Sequence, residues 1–202
     1  MIQSLLHKNK EVSFGEPYNQ FSNGNLLDMA WLLGRYQARD VLEIGTWTGQ
    51  SAAVICYCIK KFGGNLTVID TFEGNGSVLE QYASKMNVYE EFKRNMKTCG
   101  FWDMITVYKG KSDEMLDRVQ NYELVFIDGD HRYSQVKRDI ENYFPKVREG
   151  GIICGHDFDS FDYDEEFIET DYHGTSHHGV TKAVLEAFND VSVAGNIWYK
   201  EK

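Results

Sequence analysis

Proline is nearly absent from this 202-residue chain: Pro17 and Pro145 are the two present, and no Pro/Gly-rich linker or internal repeat divides the sequence. One domain is the simplest organisation. No apolar run approaches the ~20 residues that cross a bilayer. The opening MIQSLLHKNKEVSF lacks the hydrophobic stretch of a secretory signal. The four cysteines, Cys56, Cys58, Cys99 and Cys154, form neither a CxxC pair nor a secreted disulfide framework. They read as reduced thiols, and a cytoplasmic protein is expected. Positive charge is scarce: 21 Lys and Arg stand against 31 Asp and Glu, a net charge of −10. That balance disfavours nucleic-acid phosphates and anionic membranes as partners. Also missing are a GxxxxGK[ST] phosphate loop, a complete GxGxxG turn and an NPPY-like motif.

What is present is an ordinary globular composition, 42% hydrophobic and 26% charged, enough for a sheet covered on both faces. Residues 1–23 read as an irregular N-terminal arm and residues 24–202 as the domain. Leu26, Leu27, Ala30, Trp31 and Leu33 predict a helix ending at Gly34. VLEIG at 41–45 is short and apolar, as a buried parallel strand should be. Residues 51–62 predict a helix stopped by Gly63 and Gly64, and LTVID at 66–70 a second strand. Residues 80–99 carry a helical pattern stopped by Gly100. Strands three, four and five fall at 105–110, 124–128 and 150–155.

Between the last two of these strands, Val136, Ile140, Phe144 and Val147 recur at helical spacing, with Lys137, Arg138, Asp139 and Glu141 as polar residues between them. Val180, Ala183, Val184, Ala187 and Phe188 mark a further helix, and VSVAGNIWYKE an antiparallel hairpin. Alternating strands and helices predict an α/β fold: a three-layer, Rossmann-like, mostly parallel sheet. Such sheets bind ligands beyond the carboxyl ends of their strands.

The first of those ends reads Glu43-Ile44-Gly45-Thr46-Trp47-Thr48-Gly49-Gln50-Ser51. Where a dinucleotide-binding turn needs its middle glycine there is Trp47, and Glu43 would oppose a pyrophosphate. S-adenosylmethionine has no phosphate and carries an ammonium and a sulfonium, so a carboxylate suits it. An ordinary glycine turn would look much the same. The second strand ends in Asp70-Thr71, where an acid commonly holds the ribose hydroxyls of an adenosine cofactor. The fourth runs into Asp128-Gly129-Asp130-His131, and the fifth into His156-Asp157. If those strands are neighbours, Asp128, His156 and Asp157 could form a nitrogen–oxygen site for a divalent cation. His131 could accept a proton. Helix capping by Asp128 or Asp130 is the plainer alternative. Residues 158–179 form a long acidic, aromatic loop with no Lys or Arg; its His173, His177 and His178 are candidates to reach the substrate, with at least two of the three expected at the surface.

Together these motifs resemble the class I S-adenosylmethionine-dependent methyltransferases. EIGTWTGQS at 43–51 resembles their first motif and VIDTFEG at 68–74 their second. FIDGDHRYSQVKRDI at 126–140 with GGIICGHDF at 150–158 is similar to the small O-methyltransferases of the catechol, caffeoyl-CoA and macrocin types. The resemblance implies a seven-stranded sheet with its last strand antiparallel. It implies that Glu43, Gly45 and Gly49 surround the methionine part of the cofactor, that Asp70 binds the ribose and that Ser112 lies near the adenine. Thr46, Ser51, Thr71 and Asp128, in or beside the same motifs, complete the expected cofactor set. In metal-dependent relatives an aspartate at the Asp128 position and an acid–acid or acid–amide pair after strand five hold a divalent ion. Here Asp128, His156 and Asp157 would hold Mg or another divalent cation. Catechol-type enzymes place a lysine base where His131 stands.

The expected activity is methyl transfer to a small hydroxylated acceptor, a sugar or a phenol, with His131 and Asp128 as catalytic residues. No nucleic acid or membrane is expected as partner, and a homodimer stays open. The rivals are an NAD-dependent oxidoreductase, which Trp47 and Glu43 oppose, and a non-catalytic module that keeps the cofactor fold.

Overall fold

The computed structural model describes residues 23–171 and 176–202. The expected N-terminal arm, apart from Asn23, and His173 lie outside the described residues. The elements are α1 (Asn23–Tyr36), β1 (Asp40–Ile44), α2 (Gln50–Lys60), β2 (Asn65–Asp70), α3 (Gly76–Ala83), α4 (Val88–Thr98), β3 (Ile105–Lys109), the single turn α5 (Ser112–Met115), β4 (Tyr122–Ile127), α6 (Tyr133–Tyr143), β5 (Val147–Gly155), α7 (His178–Ala187), β6 (Ser192–Ala194) and β7 (Ile197–Glu201).

The strands form one sheet in the order β3-β2-β1-β4-β5-β7-β6. β1 to β5 pair in parallel, whereas β7 pairs antiparallel with both β5 and β6. This is the expected seven-stranded, mostly parallel sheet with a C-terminal antiparallel hairpin. Its core explains the uninterrupted apolar runs. Successive side chains of a strand point to opposite faces, and here both faces are covered. Val41, Leu124, Phe126, Ile152 and Cys154 pack on one face with Leu32, Ile55 and Phe92 from α1, α2 and α4. Leu42, Ile44, Val125, Ile127 and Ile153 pack on the other with Ile140 and Val184 from α6 and α7. Each fully buried large side chain, such as Phe126 or Trp198, contributes roughly 1.5–3 kcal/mol of transfer free energy.

Three boundaries differ from the sequence reading. The helix expected over 80–99 is two helices, because Asn87 accepts a hydrogen bond from the Glu90 amide at 3.2 Å and starts α4 afresh. α1 runs through Gly34 to Tyr36, since a lone glycine weakens a helix without ending it. Val147 belongs to β5, not to the helix before it. α6 stops at Tyr143, Phe144–Lys146 forms a 3-10 turn around Pro145, and Val147 pairs with Tyr122 ahead of a register shift whose extra residues lie in β5, between Val147 and Ile152. Strand order reverses between β1 and β4, which opens a crevice at their carboxyl ends.

Candidate active site

A cavity of about 940 Å³ occupies that crevice. Gly45, Thr46, Ser51, Asp70, Thr71, Ser112, Asp128, His131, His156 and Asp157 line it, drawn from five different strand ends. Two expected residues, Glu43 and Gly49, do not.

The β1–α2 turn owes its shape to Asp70. The carboxylate accepts backbone N–H groups from Thr46 at 2.7 Å, Trp47 at 2.8 Å and Phe72 at 2.6 Å. Trp47 and Phe72 have positive φ, 50° and 57°, an uncommon conformation for bulky residues that these bonds hold in place. A carboxylate offers roughly four acceptor sites, so Asp70 retains room for a ligand hydroxyl. Burial raises its pKa, opposed by the three amides. Gly45 is required here: its φ is +83°, and a Cβ would stand 2.1 Å from the Asp128 carbonyl oxygen. β1 and β4 therefore touch backbone to backbone at the crevice.

Gly49 answers to packing. At φ +95° a Cβ would meet Met96 at 2.7 Å and Phe92 at 2.8 Å, below the turn and away from the cavity. Glu43 likewise lies beneath the floor, fully buried on β1. Burial raises its pKa to about 8, with Ser51 and Thr46 opposing and Asp128 and Asp70 reinforcing the shift. Among the described residues neither carboxyl oxygen has a partner at hydrogen-bond geometry. The carboxylate expected to face the cofactor's cations is thus a buried, protonated acid at neutral pH. The physical reason is strand alternation: Glu43 points toward the α2 face of the sheet, among the side chains that cover it.

At one end of the cavity Ser112 donates to Asp139 at 2.5 Å, and the Gln135 amide donates to the same oxygen at 3.1 Å. Asp139 is 1% exposed, and burial raises its pKa to about 7, against the pull of Ser112 and Gln135. The sequence reading placed Asp139 among the polar residues between the apolar positions of α6. Its i, i+4 spacing from Gln135 was the available signal.

The other end is an imidazole–carboxylate cluster. β4 and β5 are neighbours, with Ile127 opposite Gly155, so Asp128, His156 and Asp157 meet as expected. His156 Nδ1 lies 2.8 Å from Asp157 Oδ1 and 3.6 Å from Asp128 Oδ1. Asn25 of α1 reaches His156 Nε2 at 2.6 Å. His131 Nε2 stands 3.2 Å from Asp157 Oδ2 and 3.6 Å from Asp128 Oδ1, and its Nδ1 is 3.0 Å from Asp171 Oδ1. Burial alone would lower the pKa of His131; Asp157, Asp128 and Asp171 outweigh it and hold the ring protonated well above the ordinary histidine range. Three carboxylates thus surround the imidazole. Burial would also raise Asp157, but His131, His156 and His177 overcome it and hold the carboxyl below its usual range. Asp157 has φ 61°, a left-handed conformation that turns its side chain into the cluster.

His177 joins the cluster edge-on to His131, with ring centroids 4.8 Å apart. His178 turns away and accepts the Asp164 amide at 3.0 Å. No local pattern separates these two adjacent histidines. Asp171 and Asn25 were not singled out: Asp171 is one of many acids in the loop after β5, and Asn25 lies among the polar residues that open α1. Asp130 also lines the cavity and pairs with Arg132.

A doubly covered sheet with its cavity at the β1/β4 reversal defines a Rossmann-like α/β protein of the methyltransferase type. Residues 42–158 match a family described as a methyltransferase domain, and the chain belongs to that family. The same fold occurs in the O-methyltransferase from Bacillus cereus, solved in complex with SAH: TM-score 0.64 and 17% identity, over 100% of this chain and 90% of that one. It occurs also in the O-methyltransferase TomG from Streptomyces achromogenes, involved in tomaymycin synthesis and solved in complex with SAM: TM-score 0.59 and 17% identity, over 98% and 86%. A protein of Sinorhizobium fredii, y4gI, is uncharacterized; it is 25% identical over 133 residues, 63% of this chain. The match spans 14% of the length of y4gI. Among the described residues no helix is long and apolar enough to cross a membrane.

Proposed function

We propose that this chain transfers a methyl group from S-adenosylmethionine to a hydroxyl of a small molecule, a sugar or a phenol. The observation that carries the reading is one cavity with two chemically different ends. The Ser112–Asp139 pair at one end suits an adenine, and the imidazole–carboxylate cluster at the other suits a reacting hydroxyl. The cofactors in the Bacillus and Streptomyces structures support it, since SAH and SAM are bound on the same fold.

In this reading the backbone of Gly45 and Thr46, with Ser51, flanks the methionine part of the cofactor. Asp70 and Thr71 take the ribose, and Asp128 stands between cofactor and acceptor. The acceptor oxygen attacks the methyl carbon in line; the carbon–sulfur bond breaks, and its electron pair leaves with sulfur as a neutral thioether. Holding the two reactants in that line is worth ~7–11 kcal/mol. The hydroxyl proton passes into the Asp128–His131–Asp157 cluster, where His131 Nε2 lies 3.2 Å from Asp157 and 3.6 Å from Asp128. Asp128, His156 and Asp157 fit a divalent cation, because one ligand atom from each lies within 4.8 Å of the others. Such an ion would lower the acceptor hydroxyl's pKa.

Calorimetry with S-adenosylhomocysteine and NAD side by side tests the cofactor, followed by labelled methyl transfer to a panel of sugars and phenols. Binding of S-adenosylhomocysteine alone, with turnover on a hydroxylated acceptor, is the expected result. Binding of NAD instead would return the chain to the oxidoreductases, and cofactor binding without any turnover would make it a non-catalytic module.

A further inference from the structure

Asp157 presents its two oxygens to different neighbours. Oδ1 faces His156, whereas Oδ2 faces His131 Nε2 at 3.2 Å, and His177 Nδ1 lies 3.7 Å from Oδ1. We propose that His131, Asp157 and His177 form a second divalent site, for a transition-metal ion, distinct from the Asp128–His156 side of the cluster and sharing Asp157 with it.

One donor atom from each of the three residues lies within 4.8 Å of the other two. Donors about 2.1 Å from one tetrahedral or octahedral ion stand roughly 3.0–3.4 Å apart, so small rotamer changes close the set. His131 Nδ1 lies 3.0 Å from Asp171, off hydrogen-bond geometry, while Nε2 is directed at Asp157; a small turn of the ring would give the arrangement in which an outer carboxylate fixes a metal-binding imidazole. His177 is held by Asp159, which accepts its backbone N–H at 2.9 Å and stands 3.0 Å from its Nδ1, so Nε2 is the ring nitrogen that would meet the ion. The left-handed backbone of Asp157, φ 61°, is a local strain that the site turns to use.

Two imidazoles and a carboxylate select zinc, cobalt, manganese or iron over magnesium, which prefers oxygen donors. The ion would also have a mechanical consequence. His177 immediately precedes α7 and His131 lies just before α6, so one ion ties the loop after β5 to the β4–α6 turn across the cavity mouth. The inference does not depend on the cofactor reading, and S-adenosylhomocysteine binding can fail without touching it.

Cobalt(II) is the probe, titrated into the full chain after chelator treatment and followed by visible absorption and calorimetric stoichiometry. In an Asp128→Asn/His156→Gln background one cobalt ion is expected to remain, with an excess of magnesium failing to displace it. Adding His177→Ala should abolish that binding, and Asp171→Asn should weaken it by ~10–100-fold. A folded double variant that binds no cobalt overturns the proposal, and so does unchanged binding after His177→Ala. Should the double variant not fold, the wild type and the single His177→Ala variant decide: loss of one ion supports the site, and equal stoichiometry overturns it.

Discussion

The two halves of the cavity handle their charges by opposite means. In the half formed by β1 and β2, carboxyl groups are settled by local chain. Glu43 is neutralised by burial, and Asp70 is clasped by three backbone amides from the turns it adjoins. In the half formed by β4 and β5, acids lie against imidazoles: Asp128 and Asp157 beside His131 and His156, Asp157 also near His177, and Asp171 beside His131, while Asp130 pairs with Arg132. The first half is a rigid socket fixed by its own turns. The second is a network whose members come from four distant stretches of chain, and it depends on the loop after β5 to be complete.

The largest effect should come from breaking the network. His131→Ala is expected to lower turnover by ~10²–10⁴-fold while S-adenosylhomocysteine affinity stays nearly unchanged. Steady-state rates and calorimetry on the same protein separate these. Near-normal turnover would show that proton removal does not pass through this half.

The next effect sharpens the contrast from the socket side. Glu43 has a pKa of about 8 folded against 4.5 in the unfolded chain. Below 4.5 both states hold the proton. As pH rises from 4.5 to about 8 the unfolded chain releases it and the folded one does not, so stability falls across that window and levels above it. Glu43→Gln should flatten that slope, with a gain at pH 8 of at most about 4 kcal/mol. Urea titrations at acid and alkaline pH measure it; equal slopes would mean the carboxyl is ionised where it lies.

Gly45→Ala attacks the contact between the halves. A Cβ against the Asp128 carbonyl, at positive φ, should cost about 3 kcal/mol of stability and displace Asp128. Chemical denaturation reads the first effect and loss of activity the second. The smallest expected change is Asp70→Ala, which removes a charged acceptor from the cofactor side. Binding of S-adenosylhomocysteine should weaken by ~1.5–3 kcal/mol. Unchanged calorimetric affinity in a folded variant would leave Asp70 as a turn clasp alone.

The sheet was legible because its strands are short apolar runs punctuated by glycine, and each such run can be buried on both faces only in a covered parallel sheet. The strand-end residues were legible for the same reason, since the topology leaves ligands nowhere else to bind in quantity. Glu43 and Gly49 carried a motif's signature yet fell off the cavity, because a motif fixes the turn and not the direction in which every side chain points.

Sequence alone therefore determined the α/β class, the hairpin at the end of the sheet and the presence of Asp70, Asp128, His156 and Asp157 at the carboxyl ends of strands. Each follows from local periodicity and chain order. Only the tertiary structure decided the protonation of Glu43, the burial of Asp139, the choice of His177 over His178 and the enclosure of His131 by Asp128, Asp157 and Asp171. Those outcomes depend on electric fields and packing between segments up to 131 residues apart in the chain, as Asn25 and His156 are. Coulomb and desolvation energies are set by distance in space, which no local pattern records.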